Sequence, residues 1–140
     1  LIIAGNGELE QELKKKVQDK KGIVFLPFQN QNQMPLIYRV ADVFVLPSSG
    51  PGETWGLAVN EAMASGRAVV VSDRCGCASD LVKDNGYVFE AGNKQQLASI
   101  LQSFVEQPSL KVEMGFKSKE LIEQWSFSTA AQRIEEVLCR

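Results

Sequence analysis

The sequence predicts an α/β protein, with a parallel sheet covered by helices on both faces. Short apolar runs alternate with helical patterns five times along the chain. Each run is continuously apolar rather than alternating, as in strands buried on both sides. Pro or Gly closes several of the runs and marks where a strand gives way to a loop.

Leu1 to Ala4 is the first such run, ending at Gly5. Glu8 to Lys20 follows as a helix, with Leu9, Leu13 and Val17 on one face and charges elsewhere; Gly22 breaks it. Ile23 to Leu26 is the second strand, stopped by Pro27. Gln29 to Gln33 is a polar loop, and Pro35 opens a helix to about Val40. Val43 to Leu46 is a third strand, ended by Pro47. Ser48 to Thr54 reads as a loop, Gly56 to Ser65 as a helix capped by Gly66, and Ala68 to Val71 as a fourth strand. A loop through Cys75-Gly76-Cys77 leads to a short helix at Ser79 to Lys83. Gly86 to Phe89 is the fifth strand. Three helices follow, from Asn93 or Lys94 to Val105, Ser109 to Gln124 and Ser128 to Leu138, their apolar residues assigned to the core. Trp125 is expected to pack on that core.

Composition bounds the function. The 140 residues are 44% hydrophobic and 23% charged, which fits one globular domain and excludes a disordered tail, a collagen-like rod and a disulfide scaffold. A net charge of -2 does not favour nucleic acid as a partner. Histidine is absent, which removes imidazole bases, His-based zinc sites and Ser-His or Cys-His catalysis. Cys75, Cys77 and Cys139 match neither a zinc spacing nor a disulfide framework and read as reduced thiols of a cytoplasmic protein. No apolar run reaches the ~18–20 residues of a bilayer span. The opening Leu-Ile-Ile-Ala-Gly carries no Met, basic segment or cleavage site, so it is expected to be a strand within a longer protein.

In a parallel sheet, ligands bind at the carboxyl ends of the strands. The candidate floor therefore lies after Gly5, Leu26, Leu46 and Val71. The informative stretch is Pro47 to Gly66, running from strand end through loop to helix. The amides of Gly56, Leu57 and Ala58 fall at the helix start, a natural phosphate seat. Glu53 lies in the loop and Glu61 within the helix, eight positions on. Glu61 could accept bonds from a ribose diol and Glu53 could meet sugar hydroxyls, at about 1.5–3 kcal/mol per bond to a charged group. Both could equally be solvated acids. A pair of carboxylates flanking a glycosidic bond, as in hydrolases, is also compatible with this placement.

Glu53-Thr54-Trp55-Gly56-Leu57-Ala58-Val59-Asn60-Glu61-Ala62-Met63-Ala64-Ser65-Gly66 resembles the E-x7-E signature of retaining GT-B glycosyltransferases of the family 4 type. The likeness extends to Leu1–Gly5 with Gly7, to Val24–Leu26, to Leu36–Ser48, to Asp73–Gly76, and to Asn85–Phe89 with Ala91–Asn93. It implies a Rossmann-like three-layer sandwich, the C-terminal, donor-binding half of a two-domain enzyme. Glu53 would then be the catalytic residue, contacting the donor sugar near its 3-hydroxyl, and Glu61 the ribose ligand. Gly56, Leu57 and Ala58 would meet the diphosphate, Phe28 and Gln29 would line the base, and Trp55 would stand where Phe is commoner.

The implied donor is a UDP-, GDP- or ADP-sugar. The implied acceptor is a glycan or lipid-linked hydroxyl, as in polysaccharide or glycolipid biosynthesis. No cofactor and no metal is expected, since Asp-x-Asp is missing. The family's Arg and Lys diphosphate clamp and its acceptor domain would lie upstream of Leu1. The chain alone is thus expected to be inactive and to bind nucleotide roughly 10²–10⁴ more weakly. Lys14-Lys15-Lys16 with Lys20-Lys21 reads as a solvated face, with peripheral membrane attachment the alternative if the acceptor is a lipid. A non-catalytic nucleotide-sugar-binding domain and a nucleotide-sugar epimerase remain alternatives on the same fold.

Overall fold

The computed structural model describes residues 1–139. The chain divides into two compact units, Leu1–Ile37 and Tyr38–Arg140. In the first, β1 (Ile2–Ala4) pairs in parallel with β2 (Val24–Leu26), and α1 (Glu10–Lys16) makes the crossover. The first helix is shorter than its apolar spacing predicts. Past Val17 the chain tightens into turns, Lys20 N–H bonding Val17 O at 2.8 Å, before Gly22 turns it at φ +81°. Lys14 pairs with Glu10 at 2.6 Å, so part of the basic cluster is neutralised on its own helix.

α2 (Met34–Val40) spans the boundary between the units. The second unit is built on a parallel three-stranded sheet in the order β3 (Val43–Leu46), β4 (Ala68–Ser72), β5 (Gly86–Phe89). The helices are α3 (Leu57–Ala64), α4 (Ala78–Leu81), α5 (Lys94–Glu106), α6 (Ser109–Glu123) and α7 (Phe127–Leu138). Within each sheet the strands are parallel, as expected, and the hydrogen bonds form a pair in the first unit and a triplet in the second.

β4 is buried at every position because it is central, and its Val-rich sequence suits a strand covered on both sides. Register aligns Val43 with Ala68 and Val45 with Val70, and Tyr87 with Val70 in turn. These residues share one face and pack with Phe89 against Phe104, Leu97 and Ile100 of α5 and Leu110 and Met114 of α6. Leu46 and Phe44 lie on the alternate face, where Tyr38 meets Phe44 edge to face at 5.5 Å.

Two glycines set how closely backbones approach. A Cβ on Gly86 would lie 1.8 Å from Val69 O, inside the sheet. One on Gly115 would lie 2.4 Å from Gly66 O, so α6 rests directly on the turn that follows α3. Asn85 is also buried there and bonds Ser118 of α6 at 3.2 Å.

Trp125 does not join the core. It is 46% exposed, at the turn between α6 and α7, where its ring meets Trp55 at 5.4 Å between centroids. The helix ends at Glu123, so Trp125 lies beyond its last turn.

Candidate functional site

The site is built where β3 and β4 end. Pro47 lacks the amide needed to continue a ladder, and the chain leaves the sheet as a loop from Ser48 to Trp55. The last residue of β4 and the segment after it hold the end of β3 and both ends of this loop. Ser72 Oγ donates to Ser48 O at 2.6 Å, and Cys75 Sγ to Leu46 O at 3.6 Å. Cys77 N–H donates to Trp55 O at 2.9 Å. Gly76 lies so close to Thr54 that a Cβ would sit 1.9 Å from its carbonyl oxygen. Cys75-Gly76-Cys77 is therefore a clamp on the candidate loop, a role that its spacing does not signal.

Gly56 caps α3 with φ +102° and ψ 56°, in the left-handed region that glycine enters without steric cost. Its missing side chain also matters, since a Cβ would press on Leu46 Cδ2 at 3.2 Å and Cys77 Sγ at 3.3 Å. Val59 N–H closes the first turn onto Gly56 O at 2.8 Å. The amides of Gly56, Leu57 and Ala58 donate to no backbone or side-chain acceptor among the described residues. Three donors therefore gather at the positive end of the helix dipole, where an anion gains about 0.3–1 kcal/mol at an exposed site.

Glu61 lies one turn on from these amides and is exposed. Its Oε2 accepts a hydrogen bond from the hydroxyl of buried Tyr38 at 2.7 Å. The phenol's acidity is suppressed, first by burial, then by this bond and by the negative charge of Glu61, so Tyr38 stays a donor. The bond orients one oxygen of Glu61, while Oε1 has no partner among the described residues. Tyr38 was missed from sequence, although a tyrosine on an apolar helix face needs a partner for its hydroxyl.

Glu53 is half-buried and accepts no hydrogen bond from a described residue. It lies near enough to Cys77 to influence its thiol. That thiol is pushed up to about 11, first by burial, then by the neighbouring Cys75, with smaller contributions from Glu53 and Asp80. Cys77 is therefore an uncharged structural thiol at neutral pH. Trp55 is fixed by its indole N–H, which donates to Asn60 Oδ1 at 2.9 Å.

Thus Glu53, Trp55, Gly56, Leu57, Ala58 and Glu61 all belong to one loop-and-helix segment of the second unit. Phe28 and Gln29 belong to the first unit, following β2. Phe28 is 72% exposed, and Gln29 turns its side-chain amide back to Pro27 O at 2.9 Å. Asp73 holds the Ala91 amide at 2.9 Å, a loop-bracing contact. Among the described residues no group of three or more His, Cys, Asp or Glu side chains could hold a metal ion, and no helix is long and apolar enough to cross a membrane.

Comparison with known proteins bears on this geometry. Residues 1–121 match the family described as Glycosyl transferases group 1. The chain belongs to that family, and its fold is the C-terminal half of a GT-B fold. It is 29% identical over 139 residues to a phosphatidyl-myo-inositol mannosyltransferase of Mycolicibacterium smegmatis, covering 98% of this chain and 36% of that protein. Among solved structures it is similar to Anabaena HepE in complex with UDP, with a TM-score of 0.84 and 26% identity over 99% of this chain and 40% of the other. It is also similar to the C-terminal domain of a glycosyl transferase group 1 family protein of Francisella tularensis, at 31% identity and TM-score 0.72, covering 84% of this chain and 62% of that one. The chain spans between 26% and 39% of the length of several curated relatives.

Proposed function

We propose that this member of the family is the donor-binding half of a longer, retaining glycosyltransferase of the family 4 type. It would move a hexosyl group from a nucleoside diphosphate sugar to an acceptor hydroxyl on a glycan or lipid, without a metal. The observation that carries the reading is the set of three unpartnered amides at Gly56, Leu57 and Ala58, one helical turn from a carboxylate held by Tyr38. The amides suit a diphosphate, and the free oxygen of Glu61 suits a ribose hydroxyl. Glu53, without a partner in the same loop, is available to the donor sugar. Phe28 and Gln29 are assigned to the base, and Trp55 to the wall of the sugar pocket.

In this reading the departing diphosphate is stabilised by donors already fixed in place, which costs no reorganisation at the moment of transfer. HepE, solved with UDP-glucose and with UDP, supports a nucleotide-sugar donor. The remaining cations of the diphosphate clamp and the acceptor surface belong, in this proposal, to the rest of the protein. A cytoplasmic location, with peripheral membrane attachment where the acceptor is a lipid, follows from the same reading.

The test is sugar transfer by the full-length parent carrying Glu53→Gln or Glu61→Gln. Each removes a charge-assisted bond, so each is expected to lower kcat/KM by roughly 10–100-fold. Unchanged transfer in both variants would end the proposal, and product analysis separates transfer from epimerisation. Calorimetry of UDP, GDP and ADP on the isolated chain is expected to show no micromolar binding.

A further inference from the structure

A second concavity, of about 280 Å3, opens at the other end of α3. It lies between the turn after α3 and the stretch of α6 from Lys111 to Lys119, and Gly66 and Gly115 make that close approach possible. Arg67, Lys111 and Lys119 line it against a single carboxylate, Asp42, in a chain whose net charge is -2.

The three cations are held differently. Arg67 donates from Nε to Ser65 O at 3.1 Å and from Nη1 to Ala41 O at 2.9 Å. These bonds fix the guanidinium plane and cover carbonyls that would otherwise repel an anion, while Nη2 is left without a partner among the described residues. Lys111 is paired with Asp42 at 2.7 Å. Lys119 has no ion pair among the described residues, and its stem is laid over Gly66, within 3.6 Å of where a Cβ would stand. Phe116 and Val112, 68% and 54% exposed, form an apolar flank.

We propose that this concavity is a second binding site, for a phosphate-bearing group with a small organic substituent. The free Nη2 of a fixed guanidinium and an unpaired ammonium are donors suited to phosphate oxygens. The volume falls just below the ~300–1,000 Å3 of pockets that enclose drug-sized ligands, so it suits a phosphomonoester rather than a nucleotide. The site is separate from the amide-lined end of α3. That helix has eight residues, so its two ends stand about 12 Å apart. The group could come from a soluble phosphate ester or from a lipid headgroup, and the chemistry is the same.

An amide-resolved NMR titration of the chain with glycerol 3-phosphate tests this. Saturable shifts are expected at Gly66, Arg67, Gly115 and Lys119. Lys119→Gln, a change at an exposed side chain, is expected to weaken binding at least ~10-fold, and Lys119→Glu to abolish it. Shifts confined to Gly56, Leu57 and Ala58, or none in either region, would overturn the proposal. A second arm uses sedimentation with phosphatidic acid vesicles against phosphatidylcholine vesicles. Binding to the first alone, lost in Lys119→Gln, identifies the headgroup as the source. Vesicle binding that survives Lys119→Gln overturns the site.

Discussion

The two ends of α3 solve the same electrostatic problem in opposite ways. At its start, Gly56, Leu57 and Ala58 leave their amides open, and the loop before them is clamped from outside by Gly76 and Cys77. At its finish, the Arg67 guanidinium covers the carbonyls of Ser65 and Ala41. One end therefore offers backbone donors set by the turn, and the other offers side-chain cations set by packing. The terminal carbonyls of Glu61, Ala62 and Met63 are taken by the amides of Ser65, Arg67 and Gly66, and the Arg67 side chain covers Ser65 O just beyond the helix.

The comparison breaks most sharply at the close-approach glycines. Gly115→Ala puts a Cβ 2.4 Å from Gly66 O, so α6 must move away from the turn after α3. A loss of about 1–3 kcal/mol is expected in urea unfolding, as for overpacked cores. Gly76→Ala forces Thr54 off its seat at 1.9 Å. Its loss should be of the same order, about 1–3 kcal/mol, with the amide signals of Gly56, Leu57 and Ala58 displaced and those around Gly66 unmoved. Equal displacement at both ends would show that the ends are not independent.

Raising the pH loads the clamped end first. Cys77 has its folded value raised from 9.0 to about 11, so its contribution to stability is fully present below pH 9.0 and is lost as pH rises towards about 11. Tyr38 shifts in the same direction, and its contribution fades above its ordinary value of 10.0. Denaturation midpoints should therefore fall on the alkaline side, and Cys77→Ala should flatten the first part of that fall. An unchanged alkaline slope in Cys77→Ala would remove the thiol from the account.

Smaller effects sharpen the picture. Tyr38→Phe removes the donor to Glu61 and should cost about 1 kcal/mol of stability, since the carboxylate is exposed and water replaces the phenol. Trp125→Ala loses an aromatic contact at a half-exposed site and should cost about 0.5–1.5 kcal/mol.

Much of this was legible in the residues. Val43–Leu46 and Gly86–Phe89 form strands over the bounds their apolar runs predict, and α3 begins one residue past Gly56 because that glycine is the left-handed cap. What the sequence hid were contacts between distant segments. Nothing in Cys75-Gly76-Cys77 says that its glycine faces the carbonyl of Thr54, and nothing in Leu36-Ile37-Tyr38 says that the phenol reaches across to Glu61. Trp125 follows an apolar helical pattern, yet α6 stops before it and frees it to meet Trp55. Periodicity reports which side of an element is buried, but not which side chain beyond its last turn finds a partner.

The pairing of Trp55 with Trp125 has a practical consequence. They are the only two tryptophans in the chain, and their rings touch at the edge of the proposed sugar pocket. All indole emission therefore arises from one spot, so ultraviolet fluorescence reads out that junction without any attached dye. A compound that displaces the loop should change the colour and brightness of that emission, and one that settles beside Lys119 should leave it dark to the event.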